Sequence, residues 1–330
     1  MINFLRKIHI KKILIFRFGA IGDVVHSTAL YRSLKKYNQN LSIHYLTGEV
    51  PSLLLENDTD LDKVWIIEGK SYKYLANLAK ELKKEKFDLC INLQPSIRTR
   101  IFSFLTGSKR ILTYKKTFKI HAVNNFWMTA KPLFRDILLD KEIKVFIPKE
   151  VKEKISKILS TEKRIIGFNM GANSARQGRK WPIEHWKELA KRIIDKYDCE
   201  IVLTGSLEDK EISEILLDIS PKIKSFCGKL DILENAALLS KCYILISGDT
   251  GPLHIATAVK TPVIGLYGSM PVLRTGPYSE NSSALCSDRN CVPCNRRKCK
   301  LTKKQELYTP CMEDITPDNV FSFVEKYLDN

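Results

Sequence analysis

The chain has 330 residues, of which 44% are hydrophobic and 28% charged, enough for two ordinary domains and typical of a globular protein. No run of 18 apolar residues occurs, which excludes a hydrophobic membrane-spanning helix, and the basic start MINFLRKIHIKK lacks the apolar core of a secretory signal, so a cytoplasmic protein is expected. The formal net charge is +17 and uneven: 27 Lys and Arg stand against 14 Asp and Glu in residues 1–150, and 27 against 23 in residues 151–330, so the first half suits an anion, whether nucleic acid, an acidic membrane or a phosphorylated substrate.

Strands and helices alternate from the start. Residues 12–17 read as a strand, and 22–37 as a helix with Val25, Ala29, Leu30 and Leu34 on one face. Strands at 41–46 and 64–67, a lysine-laced helix over 72–86, and strands at 88–93 and 111–113 follow. Residues 114–140 are the least regular. They mix lysines with Phe118, Phe126 and Trp127, either as an acceptor-side or membrane-touching surface or as an ordinary helix with basic flanks. Pro148 closes the first unit, 149–160 read as a charged connecting helix, and the domains are set at 1–150 and 151–330.

The second half restarts the pattern. Strands are expected at 164–169, 200–204, 223–226, 243–247 and 262–266, with helices over 181–197, 208–219, 230–240 and 317–328 and another from Pro252. This alternation means mostly parallel sheets with helices on both faces.

Four stretches carry residues suited to chemistry. In FRFGAIGDVVH (16–26) a strand enters a Gly-x-x-Gly turn and Asp23 begins a helix. The spacing of Gly19 and Gly22 is not the dinucleotide fingerprint. Asp23 reads either as a helix-start acid or as a general base at a strand end. In NMGANSARQGRKWPIEHW (169–186) a polar loop bears Arg176, Arg179 and Lys180, which either wrap an anion or are simply solvated. In LTGSLEDKE (203–211) Glu208 either holds ribose hydroxyls or starts a helix. In YILISGDTGPLHIATAVKTPVIGLYG (243–268) Gly248 and Gly251 allow a sharp turn, and Pro252 suits a first helical position. The free N–H groups there suit phosphate, and Asp249 and His254 add polar handles.

Cys90, Cys199, Cys227 and Cys242 sit in or beside apolar strands and read as core. Cys291-x-x-Cys294, Cys299 and Cys311, with Cys286 just before, read equally as a tetrahedral structural zinc site or as packed free thiols. Stable disulfides are disfavoured in the cytoplasm.

Taken together, these stretches resemble glycosyltransferase family 9, the bacterial ADP-heptose:lipopolysaccharide heptosyltransferases. KILIFRFGAIGDVVHSTAL looks like the opening motif, GANSARQGRKWP like the central loop, and SGDTGPLHIATAVKTPVIGLYG followed by RTGPYS (274–279) like the most specific signature. CVPCNRRKC and CMEDITPDNV are like many members. The family's frequent proline near Thr28 and glycine near Leu112 are missing.

The resemblance runs over nearly the whole chain. It implies an α/β GT-B fold, two Rossmann-like α/β/α domains facing across a cleft, with the last helix crossing back to the first. The N-terminal domain would take the acceptor and the C-terminal one the sugar nucleotide. It also implies an inverting, metal-independent transferase that moves heptose from ADP-heptose to the lipopolysaccharide inner core. Asp23 would be the general base and Lys180 would meet the donor phosphate. Asn169, Gly171, Glu208, Asp249, Thr250, Gly251, Leu253 and His254 would surround the donor, and Gly22, His26 and Arg98 would lie on the acceptor side. No cofactor is required, and any zinc at Cys291, Cys294, Cys299 and Cys311 would be structural. The partners would be ADP-heptose and a lipid A–Kdo acceptor at the cytoplasmic face of the inner membrane, and not nucleic acid. Rival readings are another sugar-nucleotide enzyme of the same fold, such as an epimerase, a non-catalytic assembly partner, or a basic nucleic-acid-binding module. The last lacks aromatics interleaved with its cations and leaves the phosphate-type turns unexplained.

Overall fold

A computed structural model describes residues 10–69, 71–171, 177–303 and 307–329. The chain divides into two compact units, Met1–Ile143 and Lys144–Asn330. The break falls a few residues before the sequence-based boundary, so the helix read as a connector belongs to the second unit.

The first unit runs β1 (Lys12–Phe16), α1 (Ile21–Tyr37), β2 (Ser42–Gly48), a short α2 (Glu49–Ser52), β3 (Lys63–Ile67), α3 (Tyr72–Lys84), β4 (Leu89–Asn92), α4 (Ile97–Leu105), β5 (Arg110–Thr113) and α5 (Ala122–Ala130). Its five strands pair in parallel in the order β3-β2-β1-β4-β5. Ile13, Leu14, Ile15 and Phe16 are all fully buried, as a central strand covered by helices on both faces demands. Ile13 and Ile15 join Leu30, Leu34 and Phe126 on one side of the sheet, while Leu14 and Phe16 join Leu75, Leu82 and Phe102 on the other. Strand order reverses between β1 and β4. Neighbouring connections there leave in opposite directions and open a crevice at the C-terminal strand ends.

The second unit runs α6 (Lys149–Leu159), β6 (Arg164–Asn169), a 3-10 turn (Gln177–Arg179), α7 (Ile183–Lys196), β7 (Cys199–Thr204), a second 3-10 turn (Leu207–Asp209), α8 (Lys210–Leu217), β8 (Ile223–Ser225), α9 (Ile232–Leu239), β9 (Ile244–Gly248), α10 (Gly251–Ala258), β10 (Val263–Tyr267), α11 (Val272–Thr275), β11 (Ser283–Cys286), α12 (Pro310–Glu313) and α13 (Pro317–Leu328). The parallel sheet has the order β11-β10-β9-β6-β7-β8. Its reversal lies between β6 and β9, where Asn169 stands opposite Ser247. The Trp186 ring packs against both Phe168 and Trp181 with centroids 4.9 Å apart in each pair, and the Trp181 indole donates to the Ile315 carbonyl at 2.6 Å.

The buried face of α13, Val320, Val324 and Leu328, lies in the core of the second unit with Trp186 and Ile193. The helix expected over 208–219 is divided. Asp209 turns back to accept from the Ser206 N–H and hydroxyl, so a tight turn precedes α8. Among the described residues, no helix is long and apolar enough to cross a membrane.

Candidate active site

In the first unit the crevice at the β1/β4 reversal is built from the β1–α1 turn. Asp23 sits in the first turn of α1, half exposed, and pairs with the Arg17 guanidinium. Arg17 also donates to the Leu93 carbonyl at 2.8 Å, just beyond β4. It thereby ties the Asp23 turn to the neighbouring strand end and fixes which way the carboxylate points. Oδ1 of Asp23 has no hydrogen-bond partner among the described residues. Gly22 is buried beneath the turn, and His26 is buried edge-on to His121 with centroids 5.0 Å apart. Arg98 begins α4 at the same sheet edge, its guanidinium 5.5 Å from the centre of the Tyr72 ring.

In the second unit three loops meet at the β6/β9 reversal. Asn169 ends β6, and both its amide nitrogen and its oxygen are engaged. The amide N–H donates to the Thr204 carbonyl at 2.8 Å, and the oxygen accepts from Thr250 Oγ1 at 2.9 Å and Ser247 Oγ at 3.4 Å. Asn169 therefore fastens three strand ends together. Asp249, 2% exposed, pairs with Arg179 at 2.6 Å and stands 3.5 Å from His254 Nε2. Burial pushes its carboxyl up, but the His254 hydrogen bond and the Arg179 charge outweigh it and hold the group below its ordinary range. Lys180, next to Arg179 and half-buried, has no side-chain partner among the described residues.

Thr250 precedes α10, but its hydroxyl is turned to Asn169 and makes no capping bond to the helix, whose first residues are Gly251 and Pro252. The leading N–H groups are therefore open to a ligand. Leu253 is fully buried, so only its backbone can meet one. A Cβ on Gly248 would come within 2.7 Å of the Arg179 carbonyl, which is why the β9 end can lie against the cationic loop. Gly171 is as tightly placed. A side chain there would run into the Asp209 carboxylate. Glu208 itself is exposed, and Asp209 is the acid that shapes this corner. Arg176 lies outside the described residues.

The profile of glycosyltransferase family 9 (heptosyltransferase) matches residues 75–305. The chain belongs to this family. It is 25% identical over 320 residues to lipooligosaccharide heptosyltransferase 2 of Campylobacter jejuni, covering 93% of this chain and 96% of that one. It is 27% identical over 299 residues to the lipopolysaccharide core heptosyltransferase OpsX of Haemophilus influenzae, covering 82% of each. The solved E. coli ADP-heptose LPS heptosyltransferase II is 21% identical with a TM-score of 0.79, covering 96% of this chain and 98% of that one. The GT-B fold, two Rossmann-like units, is shared.

The cysteine loop of this family 9 chain braces the cationic loop. Cys291, Cys294, Cys299 and Cys311 line one cavity of about 20 Å³ with Gly178 and Ser269, room for a single water-sized body. The Cys299 N–H donates to the Gln177 side chain at 3.2 Å, the Gln177 N–H to the Arg297 carbonyl at 3.2 Å, and the Asn295 N–H to the Ser269 carbonyl at 2.7 Å. Burial and the neighbouring thiols push the Cys311 thiol up. At Cys299 burial is outweighed by hydrogen bonds to the sulfur, including the Leu301 N–H at 3.4 Å, and the thiol is lowered. Among the described residues no three His, Cys, Asp or Glu side chains are arranged to hold an ion; the four thiols share one cavity.

Several of these partners are hidden from spacing. Arg17 stands two residues before Gly19, yet nothing in the pattern marks it as the companion of Asp23. Asp209 had a signal, the Ser-x-x-Asp capping box from Ser206.

Proposed function

We propose that the protein is an inverting heptosyltransferase that moves heptose from ADP-heptose to the inner core of lipopolysaccharide. Kdo or heptose is the acceptor, and the protein works peripherally at the cytoplasmic face of the inner membrane. The observation that supports it best is the meeting of the Asn169, Arg179–Lys180 and Asp249–Gly251 loops at the reversal of the second sheet. This occurs in a family 9 chain whose relatives, matched along most of their length, carry heptosyltransferase names.

Asp23 removes the proton from an acceptor hydroxyl. The freed oxygen attacks the anomeric carbon from the face opposite the diphosphate, the C–O bond to the diphosphate breaks, and configuration inverts. The transition state has oxocarbenium character, as in glycoside hydrolysis. Charge growing on the departing diphosphate is met by the Lys180 ammonium and the open N–H groups at Gly251. Asp249 acts on this site by holding Arg179 rather than by presenting a free carboxylate. No step is routed through a metal. A zinc ion, if the four thiols closed on one, would stiffen the brace under Lys180.

The test is incubation with ADP-heptose and acceptors truncated at Kdo or at the first heptose, read as the mass gain of one heptosyl unit. Asp23→Asn is expected to lower kcat by at least about a hundredfold while ADP affinity stays near wild type. Transfer to neither acceptor refutes the reading, and near-normal turnover by Asp23→Asn removes that residue from the chemistry.

A further inference from the structure

We propose that the outward face of α4 is an insertion surface for an anionic lipid leaflet, by which the first unit seats itself beside a membrane-embedded acceptor. This rests on the functional reading for its purpose but not for its test.

α4 is apolar on the wrong side for a helix that serves only a core. Ile97, Ile101, Phe104 and Leu105 are each exposed by half or more. At offsets of four, seven and eight residues they share one stripe. The opposite side is already satisfied, with Thr99, Phe102 and Ser103 buried and Phe102 in the core against Phe16 and Cys90. The helix is well made at both ends. Ser96 and Thr99 form a capping box, and Gly107 follows at φ +66°. The exposed stripe is thus a fixed surface feature of a formed helix. Contiguous exposed apolar surface of this kind marks contact with a partner or a membrane.

Charge selects the occupant. By helical spacing Arg98 and Arg100 lie on either side of the stripe. Residues 89–135 hold nine Lys and Arg and no Asp or Glu. Lys109, Arg110 and Lys115 line a groove with Arg100 and Phe104. An apolar stripe bordered by cations matches an anionic headgroup layer over acyl chains. Pairing with a second copy through the same stripe would bring the two cationic borders together, which is repulsive. The position also fits. α4 starts at the C-terminal end of β4, the sheet edge to which Arg17 ties Asp23.

Flotation of the full chain with phosphatidylcholine vesicles, with and without phosphatidylglycerol, tests the proposal. The chain should rise with anionic vesicles and remain behind with neutral ones. Ile101→Ser combined with Phe104→Ser should weaken that partition about tenfold or more. Both side chains lie outside the core, so the melting temperature of the double variant should match wild type and show that it is folded. Its transfer to a water-soluble, deacylated acceptor should be unchanged, while transfer to a vesicle-embedded acceptor falls. Absence of binding to anionic vesicles, equal binding by the folded double variant, or a concentration-dependent dimer that the double substitution dissolves overturns the proposal. Vesicle binding that depends on Ile101 and Phe104 in a protein that transfers no heptose would sink the functional reading and leave this surface standing.

Discussion

Adjacent cations in the second unit have different duties. Arg179 is tied to buried Asp249 at 2.6 Å, whereas the Lys180 ammonium has no partner among the described residues. Lys180→Ala should therefore raise the Kd for ADP and lower kcat with little change in stability, as calorimetric titration beside thermal melting will show. Asp249→Asn should lower stability by about 2–3 kcal/mol, because it leaves the Arg179 guanidinium partly buried without its counter-charge. The pH dependence has a definite sign. The Asp249 carboxyl is held below its ordinary value, so its stabilising contribution is complete above that value and is lost as pH falls through the lower, folded one. Asp249→Asn should make urea unfolding less sensitive to acid in that window, and an unchanged acid limb would contradict the assignment. Lys180, Asp249 and Asp23 stand out in the sequence because each follows a strand in a glycine-bearing turn. The partners of Asp249 and Asp23 do not, because a pair such as Arg179 and Asp249, seventy positions apart in sequence, is made only by the fold.

At the scale of elements, the central strands were legible because they are buried on both faces and read as unbroken apolar runs. β6 is expected and found at 164–169, and α13 at 317–328. α4 was not legible, because apolar residues on its buried and exposed sides together erase one-faced periodicity. β11 pairs only with β10 at the sheet edge, and its short sequence carries no alternation. Burial of β2 has its own consequence. His44 is almost fully covered, and its Nδ1 accepts from the Trp65 indole at 3.1 Å. Burial, with the Lys12 charge adding to it, lowers its pKa from 6.5 to about 4. The folded chain thus resists a proton that the unfolded chain accepts. Stability should be full above pH 6.5 and decline toward pH 4. His44→Gln should flatten denaturation midpoints across that window, and a slope equal to wild type would rule His44 out as its source.

Across the whole molecule, each unit has apolar clusters of its own. Among the described residues, one cluster draws its members from β6 onward, and two others lie wholly between Ile13 and Ile137. Calorimetry should resolve two endotherms, and ADP should move the one belonging to Lys144–Asn330 upward and leave the other nearly in place. A single endotherm displaced as a whole would show the halves melting as one. Two α/β units were visible in the sequence because each repeats the strand–helix rhythm from its own beginning. Clusters confined to one unit also bear on ancestry. Recombination joining near residue 144 would transplant a new front half and leave the cluster from β6 onward with all its members. On the proposed reading, lineages could then exchange the sugar they decorate while inheriting, unaltered, the means of holding the activated one.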